Sequence, residues 1–205
     1  MEALILDKAR ELFFAYGLKS VSMDDIARLS GISKKTLYQH FADKQELVDR
    51  VVAGLLATHT EKAGDCAAKA RNAVAEVALQ VRVPFRLLAG ISPGFFYELE
   101  RYFPATWMQL LEYRRTCMTP RIVANLRRGQ REGLYRDEVP EALAVEIRLQ
   151  QLRTALNPAG FTERRTEPTG LIRALTEFYL QAIGTAKGRK LINEHFNPNN
   201  DTQAS

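Results

Sequence analysis

Apolar residues recur at steps of three and four along almost the entire chain. The first such stripe consists of Ile5, Ala9, Leu12, Phe13 and Tyr16. Residues at this spacing share one face of an α-helix, and Gly17 is expected to end the helix. No segment of useful length shows the alternation of a β-strand, and no internal repeat is present. The sequence therefore predicts an all-α protein of about nine helices.

The composition is that of a folded protein rather than a disordered one. The 205 residues are 46% hydrophobic and 26% charged, with a formal net charge of +5, which suits a chain that buries a core. Cys66 and Cys117 are too few for a disulfide framework, and we expect reduced thiols. No stretch has the ~18–20 apolar residues of a membrane span. Charges at residues 7–10 interrupt any signal peptide, so we expect a cytoplasmic protein with no membrane partner.

The most informative segment covers residues 21–41. Ser22 has the position of a helix N-cap, with Asp25 three residues later as in a weaker form of the capping box. Gly31 can adopt the left-handed backbone that ends this helix, and Ser33 can cap a second one. Ala27 lies four residues before Gly31, and its small side chain lets the two helices cross closely. The spacing predicts a helix-turn-helix in preference to a generic short α-hairpin with a solvated charged face.

The second helix of this pair is rich in polar side chains. They are Lys34, Lys35, Thr36, Tyr38, Gln39 and His40. From Arg28 to Lys44, four basic residues oppose only Asp43, a local charge of +3, whereas residues 1–50 hold eight basic and eight acidic residues. Positive charge is therefore concentrated where a helix would meet phosphate, which favours a nucleic-acid partner.

These residues resemble the TetR family of bacterial regulators over about residues 5–56. The matching positions are Phe13, Tyr16 and Gly17, the segments 22–31 and 33–41, and the run 43–47. A weaker similarity covers Leu175 to Arg189, and about residues 60–165 match in helical character alone. The resemblance implies an all-α fold in which a helix-turn-helix domain precedes a helical domain for ligand binding and dimerisation.

The expected domain boundaries follow from this division. The DNA-binding domain, with three helices, is expected over residues 1–46, and the ligand-sensing and dimerisation domain over residues 47–196. Residues 197–205 are polar and are expected to form a disordered tail. The long helical segment after Pro104 is expected to kink at Pro120.

The resemblance implies a homodimer that offers the helix at residues 33–40 to the major grooves of a palindromic operator in double-stranded DNA. By the family pattern, the DNA-facing residues are Ser22, Ser33, Lys34, Lys35, Thr36, Tyr38, Gln39, His40 and Lys44. Lys34, Thr36 and Gln39 are the better candidates for base edges. Lys35 is equally well explained as a solvated charge.

Three further expectations concern the surroundings of this helix. Lys44 follows Asp43, an expected N-cap with Glu46 three residues on, so this helix start can approach phosphate. Tyr38 can pack its ring inward and present its hydroxyl to a phosphate. Leu29, which stands where many family members have a small residue, is expected to pack against the first helix.

Aromatic residues are concentrated between positions 85 and 113, which suits an apolar pocket between helices. The residues predicted to contact an unknown small-molecule effector are Phe85, Phe96, Phe103, Trp107, Leu111, Tyr113, Cys117 and Leu149. For any single one of them ordinary core packing is the favoured explanation, and the set as a whole suggests the pocket. The eight arginines and two glutamates from Arg101 to Arg136 could form a second DNA-facing patch, although an exposed face unrelated to DNA is favoured.

The apolar stripes at 143–156 and 171–183 are wide, which suits a dimer interface built from two helices of each subunit. We therefore expect a homodimer through the helices at about 140–157 and 169–184. Packing within one subunit is the alternative explanation of these stripes.

Other classes of function are disfavoured by the residues. His40, His59 and His195 are scattered, and no metal-ligand spacing, phosphate-binding loop or nucleophile motif is present, so we expect no enzyme, no metal and no cofactor. An architectural DNA binder would need a larger basic excess. A regulator whose C-terminal domain only dimerises remains an alternative to one that senses a ligand.

Overall fold

The structure, a computed structural model, describes residues 1–92, 94–156 and 168–197. The all-α prediction is confirmed: the described ranges contain no β-strand, only an isolated bridge between Tyr135 and Gly184. The helices are α1 (Glu2–Tyr16), α2 (Met23–Leu29), α3 (Lys34–His40), α4 (Lys44–Lys69), α5 (Ala73–Arg82), α6 (Pro84–Ala89), α7 (Gly94–Tyr102), α8 (Pro104–Tyr113), α9 (Thr119–Arg131), α10 (Glu141–Leu156), α11 (Pro168–Ile183) and α12 (Ala186–Phe196). The Asn157-Pro158 pair predicts a helix end, and this position lies outside the described residues, as does the predicted tail beyond Asn197.

The described ranges contain twelve helices rather than the expected nine, and two of the additional helices arise where long segments are interrupted. α5 and α6 are separated only by Val83, and α8 continues into α9 through a π-helical turn at Arg114–Met118. Pro120 has no N–H to donate to the preceding turn, and a π turn accommodates such a break within a continuous helix. The predicted irregularity therefore lies just before the proline rather than at it.

The chain divides into two compact units. The first unit comprises residues 1–59 and 90–113, and the second unit comprises residues 60–89 and 114–205. The division passes through α4, so the first unit is larger than the DNA-binding domain expected over residues 1–46. That functional boundary stays a prediction.

The core of the first unit joins α1 to the helices around it. Its fully buried side chains include Ile5, Phe13, Leu18, Ile26, Leu37, Phe41, Leu47, Phe95 and Leu99. The Ser92 N–H donates to the Phe14 carbonyl at 2.7 Å, which fixes the approach to α7 at the end of α1. Gly17 ends α1 as predicted, with φ of +83°, a backbone conformation that favours glycine.

The second unit is built on α10 and α11, which pack against each other and against α5, α6, α9 and α12. One of its apolar clusters is centred on Leu126, Tyr135 and Leu180. A second cluster contains Phe85, Leu152, Ala155 and Ile172. The stripes at 143–156 and 171–183 thus lie on two helices that are neighbours within this unit.

Candidate nucleic-acid interface

The first helix of the predicted pair is capped as the sequence indicates. Ser22 has an extended backbone, and its Oγ accepts a hydrogen bond from the Asp25 N–H at 3.2 Å. The Asp25 carboxylate in turn accepts from the Ser22 N–H at 3.0 Å, which completes a capping box. The hydrogen bonds from the Ser22 side chain and backbone hold the pKa of Asp25 below its usual value.

The turn between α2 and α3 depends on one glycine. Gly31 has φ of +67°, and the N–H of Ile32, just after it, donates to the Ala27 carbonyl at 3.1 Å. Ser33 then caps α3, because its Oγ accepts from the Thr36 N–H at 3.0 Å. The predicted positions of the glycine and of both caps are confirmed.

α3 has one buried face and one polar, exposed face. Leu37 is fully buried, whereas Thr36 and His40 are half-buried. The exposed residues are Ser33, Lys34, Lys35, Tyr38 and Gln39. A helix of this length gains little from its own propensity, so the buried leucine and the cap hold it in place. The polar side chains are left facing outward.

Within the exposed face, the lysines differ in their environment. Lys34 Nζ lies 2.7 Å from Asp24 Oδ1, and this contact raises the pKa of Lys34. Both side chains remain more than half exposed, so the pair can be exchanged for another anion at low cost. Lys35 and Gln39 make no polar contact with the described part of the chain and lie one helical turn apart.

Tyr38 and Leu29 are both partly exposed. Tyr38 is 44% exposed, and the inward packing of its ring stays a prediction. Leu29 is 40% exposed and lines a shallow surface groove together with Leu12 and Tyr16 of α1. Leu29 therefore lies beside the first helix, as expected, without being fully buried.

Lys44 is placed differently from the expectation for a phosphate-binding lysine. Its ammonium donates to the Leu18 carbonyl and lies 5.9 Å from the centroid of the Phe13 ring. Burial lowers the pKa of Lys44, and the negative charge of Glu98 opposes this effect. The Lys44 side chain thus makes its contacts inside the first unit. Its backbone N–H is the group that stays at the start of α4, where a phosphate could bind.

The start of α4 is capped by two reciprocal contacts. Asp43 Oδ1 accepts from the Glu46 N–H at 2.9 Å, and Glu46 Oε2 accepts from the Ala42 N–H at 2.8 Å. The predicted N-cap at Asp43 is therefore confirmed. His40 faces another helix, with its Nδ1 at 3.8 Å from the Glu2 carboxylate of α1.

The residues predicted to bind an effector are divided between the two units. Phe96, Phe103, Trp107, Leu111 and Tyr113 belong to the first unit, and Phe85, Cys117 and Leu149 belong to the second. Tyr113 is buried, and its hydroxyl lies 2.7 Å from His59 Nδ1. Leu111, in contrast, is exposed. The assignment of these residues to an effector site stays a prediction.

Four of the eight arginines between Arg101 and Arg136 form ion pairs with glutamates of the second unit. These pairs are Arg114–Glu146, Arg127–Glu141, Arg128–Glu76, Arg128–Glu132 and Arg136–Glu138. These pairs favour the interpretation of an ordinary charged surface over a second DNA-facing patch.

Sequence reasoning missed Arg148, which is 4% exposed in the second unit. The available signal was its position: it lies three residues after Val145 and four before Leu152, within the apolar stripe of α10. A charged residue in such a stripe indicates either a buried polar contact or a functional group.

Two searches of the described ranges were negative. No helix there combines the length and the apolar character that crossing a bilayer requires. No group of three or more histidine, cysteine, aspartate or glutamate side chains there is suitably placed to hold a metal ion.

The geometry of α1 to α3 is that of a helix-turn-helix. Residues 5–51 match the family described as bacterial regulatory proteins, tetR family. Over this segment, about a quarter of its length, the chain is similar to that family.

Curated relatives match segments of comparable length. The uncharacterized HTH-type transcriptional regulator YhgD of Bacillus subtilis is 37% identical over 62 residues, which are 30% of this chain and 32% of YhgD. The HTH-type transcriptional repressor KstR2 of Mycobacterium tuberculosis is 40% identical over 52 residues, 25% of this chain and 26% of KstR2. The matched segments thus span about a third or less of these relatives.

Solved structures extend the likeness of fold to both units. The regulator FadR from Bacillus subtilis, in complex with stearoyl-CoA, superimposes with a TM-score of 0.67 at 16% identity, over 89% of this chain and 100% of FadR. The ketosteroid transcriptional regulator KstR2 of Mycobacterium tuberculosis gives a TM-score of 0.63 at 19% identity, over 88% of this chain and 93% of KstR2. At such identities the comparison establishes the fold alone.

Proposed function

We propose that this protein is a sequence-specific, DNA-binding transcriptional regulator, a homodimer that a small-molecule effector releases from a palindromic operator. The observation that carries the proposal is the outward polar face of α3, held by the Ser33 cap and the buried Leu37. The cited relatives are named as transcriptional regulators, and none of them as an enzyme, which supports the expectation that the chain has no catalytic activity.

The polar side chains of α3 suit different parts of DNA. Lys34, Thr36 and Gln39 carry the donors and acceptors that read base edges in the major groove. Lys35, Tyr38 and His40 are assigned to the phosphates or to the groove edge. The Ser22 and Ser33 hydroxyls and the backbone N–H of Lys44 are assigned to phosphates.

An exposed apolar surface on α10 and α11 supports the homodimer. Leu143 and Ile147 of α10 are 56% and 45% exposed, and Phe178 of α11 is 74% exposed. These residues line one groove, together with Ala144 and Ala182. A second copy of the chain would cover the groove with the same two helices, giving the symmetric four-helix interface expected at about 140–157 and 169–184.

The helical second unit supports a response to a small molecule. FadR, which shares the fold, was solved with stearoyl-CoA bound, so this architecture can hold an organic ligand. An effector that binds best when the two copies of α3 do not match the ~34–36 Å spacing of successive major grooves would release the DNA. By linkage, operator DNA would weaken effector binding by the same factor. KstR2 is named as a repressor, which supports repression, and DNA as the partner supports a cytoplasmic location.

The proposal is tested by selecting bound duplexes from a random pool with the full-length protein. We expect a palindromic consensus that binds at least about 1000-fold more tightly than random DNA at the same salt concentration. Gln39→Ala should relax the sequence preference, whereas Lys35→Ala should weaken binding to all sequences. Lys69→Ala, at the other end of α4, removes the same charge as Lys35→Ala and should change neither property. Equal affinity for selected and random DNA would falsify the proposal.

A further inference from the structure

Arg148 is a charged residue in the interior of the second unit. Its guanidinium carbon lies 5.8 Å from the centroid of the Phe85 ring and 5.6 Å from that of the Tyr179 ring. Nη1 donates to Thr176 Oγ1 at 2.8 Å. Nη2 is buried and has no hydrogen-bond partner in the described part of the chain. The Nη2 edge of this buried guanidinium therefore makes no hydrogen bond within the described part of the chain.

No carboxylate compensates this charge within the described ranges of the second unit. The pairs of Arg114, Arg127, Arg128 and Arg136 each include a glutamate, and Arg148 has no such pair. Burial lowers the pKa of Arg148 to about 10, and the groups that oppose this effect are the phenols of Tyr179 and Tyr135. The guanidinium therefore remains protonated at neutral pH.

Stability alone gives no reason for a cation at this position. Burying an unpaired charge costs several kcal/mol, and an apolar residue of similar volume is often as stable or more stable. The two aromatic rings recover only part of this cost, about 0.5–2 kcal/mol for each cation–π contact. Residues that lower stability in this way are typical of binding sites.

We propose that Arg148 binds the carboxylate of the effector, and that the rest of the effector is apolar. The planar N–H groups of arginine match the oxygens of a carboxylate, and the low polarity of the surroundings strengthens the contact. The neighbouring cluster of Phe85, Leu152, Ala155 and Ile172 suits an apolar body. This inference depends on the proposed function in one respect: the carboxylate that Arg148 binds is taken to be the effector of the regulator.

Binding at this site would also alter the packing of the second unit. Arg148 stands on α10 and touches α6 through Phe85 and α11 through Thr176 and Tyr179. A ligand that takes up the free Nη2 must displace part of this packing. Its binding is thereby coupled to a shift of α6 or α11 against α10, which is the kind of two-state rearrangement that allostery requires.

The test compares carboxylates with the alcohols of the same shape on the full-length protein. Thermal unfolding and calorimetric titration are carried out with decanoate and 1-decanol, and with 4-phenylbutyrate and 4-phenylbutanol. We expect at least one carboxylate to bind and raise the Tm, and to bind at least about tenfold more tightly than its alcohol, the equivalent of one charge-assisted hydrogen bond.

Two variants locate the effect. Arg148→Met should lose at least about tenfold in carboxylate affinity while its Tm without ligand stays equal or rises, because a buried charge is removed. Arg114→Met is the matched control, since this arginine already pairs with Glu146 of α10, and it should bind carboxylates as the wild type does. The comparison of acid and alcohol needs no variant, so it decides the question even if Arg148→Met fails to fold.

Three results would overturn the inference: no binding of either carboxylate, equal binding of acid and alcohol, or undiminished carboxylate affinity in Arg148→Met. A fall in Tm of Arg148→Met together with any of them would identify a structural cation. Operator affinity of the unliganded wild type is measured in parallel. Operator binding without carboxylate binding would remove this inference alone, whereas carboxylate binding without operator binding would remove the proposed function and leave the site.

Discussion

Lys34 of α3 forms an ion pair with Asp24 of α2, with 2.7 Å between Nζ and Oδ1. Because both side chains are exposed, the pair contributes little to stability. It places a negative charge beside the face that is proposed to meet DNA. The pair must be exchanged for a phosphate or a base when Lys34 binds.

Asp24→Asn should therefore increase the affinity for operator DNA. It removes the competing partner of Lys34 and a charge that repels phosphate, and we expect a gain of about two- to tenfold at low salt that shrinks as salt screens the charges. The measurement is a salt series of operator affinities. Asp65→Asn, which breaks the exposed pair with Lys69 on α4, is the control and should leave the affinity unchanged. A loss of affinity in Asp24→Asn would contradict the prediction.

Gly31 and Gly54 should respond to alanine with opposite signs. At both positions an added Cβ meets nothing within 4 Å, but Gly31 has φ of +67° and Gly54 lies within α4. Gly31→Ala should lower the free energy of unfolding by about 1–2 kcal/mol, because alanine disfavours the left-handed backbone. Gly54→Ala should raise it by about 0.5–1 kcal/mol through helix propensity. Urea unfolding at one fixed protein concentration measures both changes, and equal shifts would contradict the argument.

Phe178→Asp should dissociate the proposed dimer. The interface would contain two copies of this side chain, each contributing about 1.5–3 kcal/mol when buried, so the dimer dissociation constant should rise at least about 100-fold. Sedimentation velocity over a range of concentrations measures the change. Met108→Asp replaces another large exposed apolar residue, 62% exposed on α8, and should remain dimeric. A Phe178→Asp protein that stays dimeric at low concentration would count against the interface on α10 and α11.

Stability should fall when His195 of α12 is protonated. Burial and, secondly, the positive charge of Arg82 lower the pKa of His195, and Glu194 opposes them. The unfolded chain then takes up this proton at a higher pH than the folded chain. The contribution of neutral His195 to the free energy of unfolding is fully present above the pKa of the unfolded chain, about 6.5. It is lost as the pH falls through the lower pKa of the folded protein. Urea unfolding between about pH 7.5 and 5 should show a smaller loss in His195→Gln, and identical losses would refute the assignment.

The helix-turn-helix could be predicted in detail because its determinants are local. Ser22, Ser33 and Asp43 each cap through partners three residues away, and the backbone at Gly31 follows from the residue type. The all-α class followed in the same way from spacing along the chain. Contacts of this kind depend on residue types only a few positions apart, so a short segment of sequence is enough to predict them.

Contacts between distant residues could not be predicted in this way. The Lys44 ammonium donates to the carbonyl of Leu18, 26 positions earlier, and no local pattern indicates such a partner. The aromatic residues from 85 to 113 were treated as one group because they are close in sequence, and the fold distributes them over two units.

Gly17 illustrates how a single position can be constrained twice. Its left-handed backbone disfavours any side chain, and a Cβ there would lie 2.9 Å from the Glu98 carboxylate, which accepts a hydrogen bond from the Lys19 N–H at 2.7 Å. A side chain at position 17 would have to adopt an unfavourable backbone conformation and would also displace the Glu98 carboxylate from Lys19. Random mutagenesis should therefore recover active proteins mainly with glycine at this site, because the backbone cost remains even if Glu98 moves away.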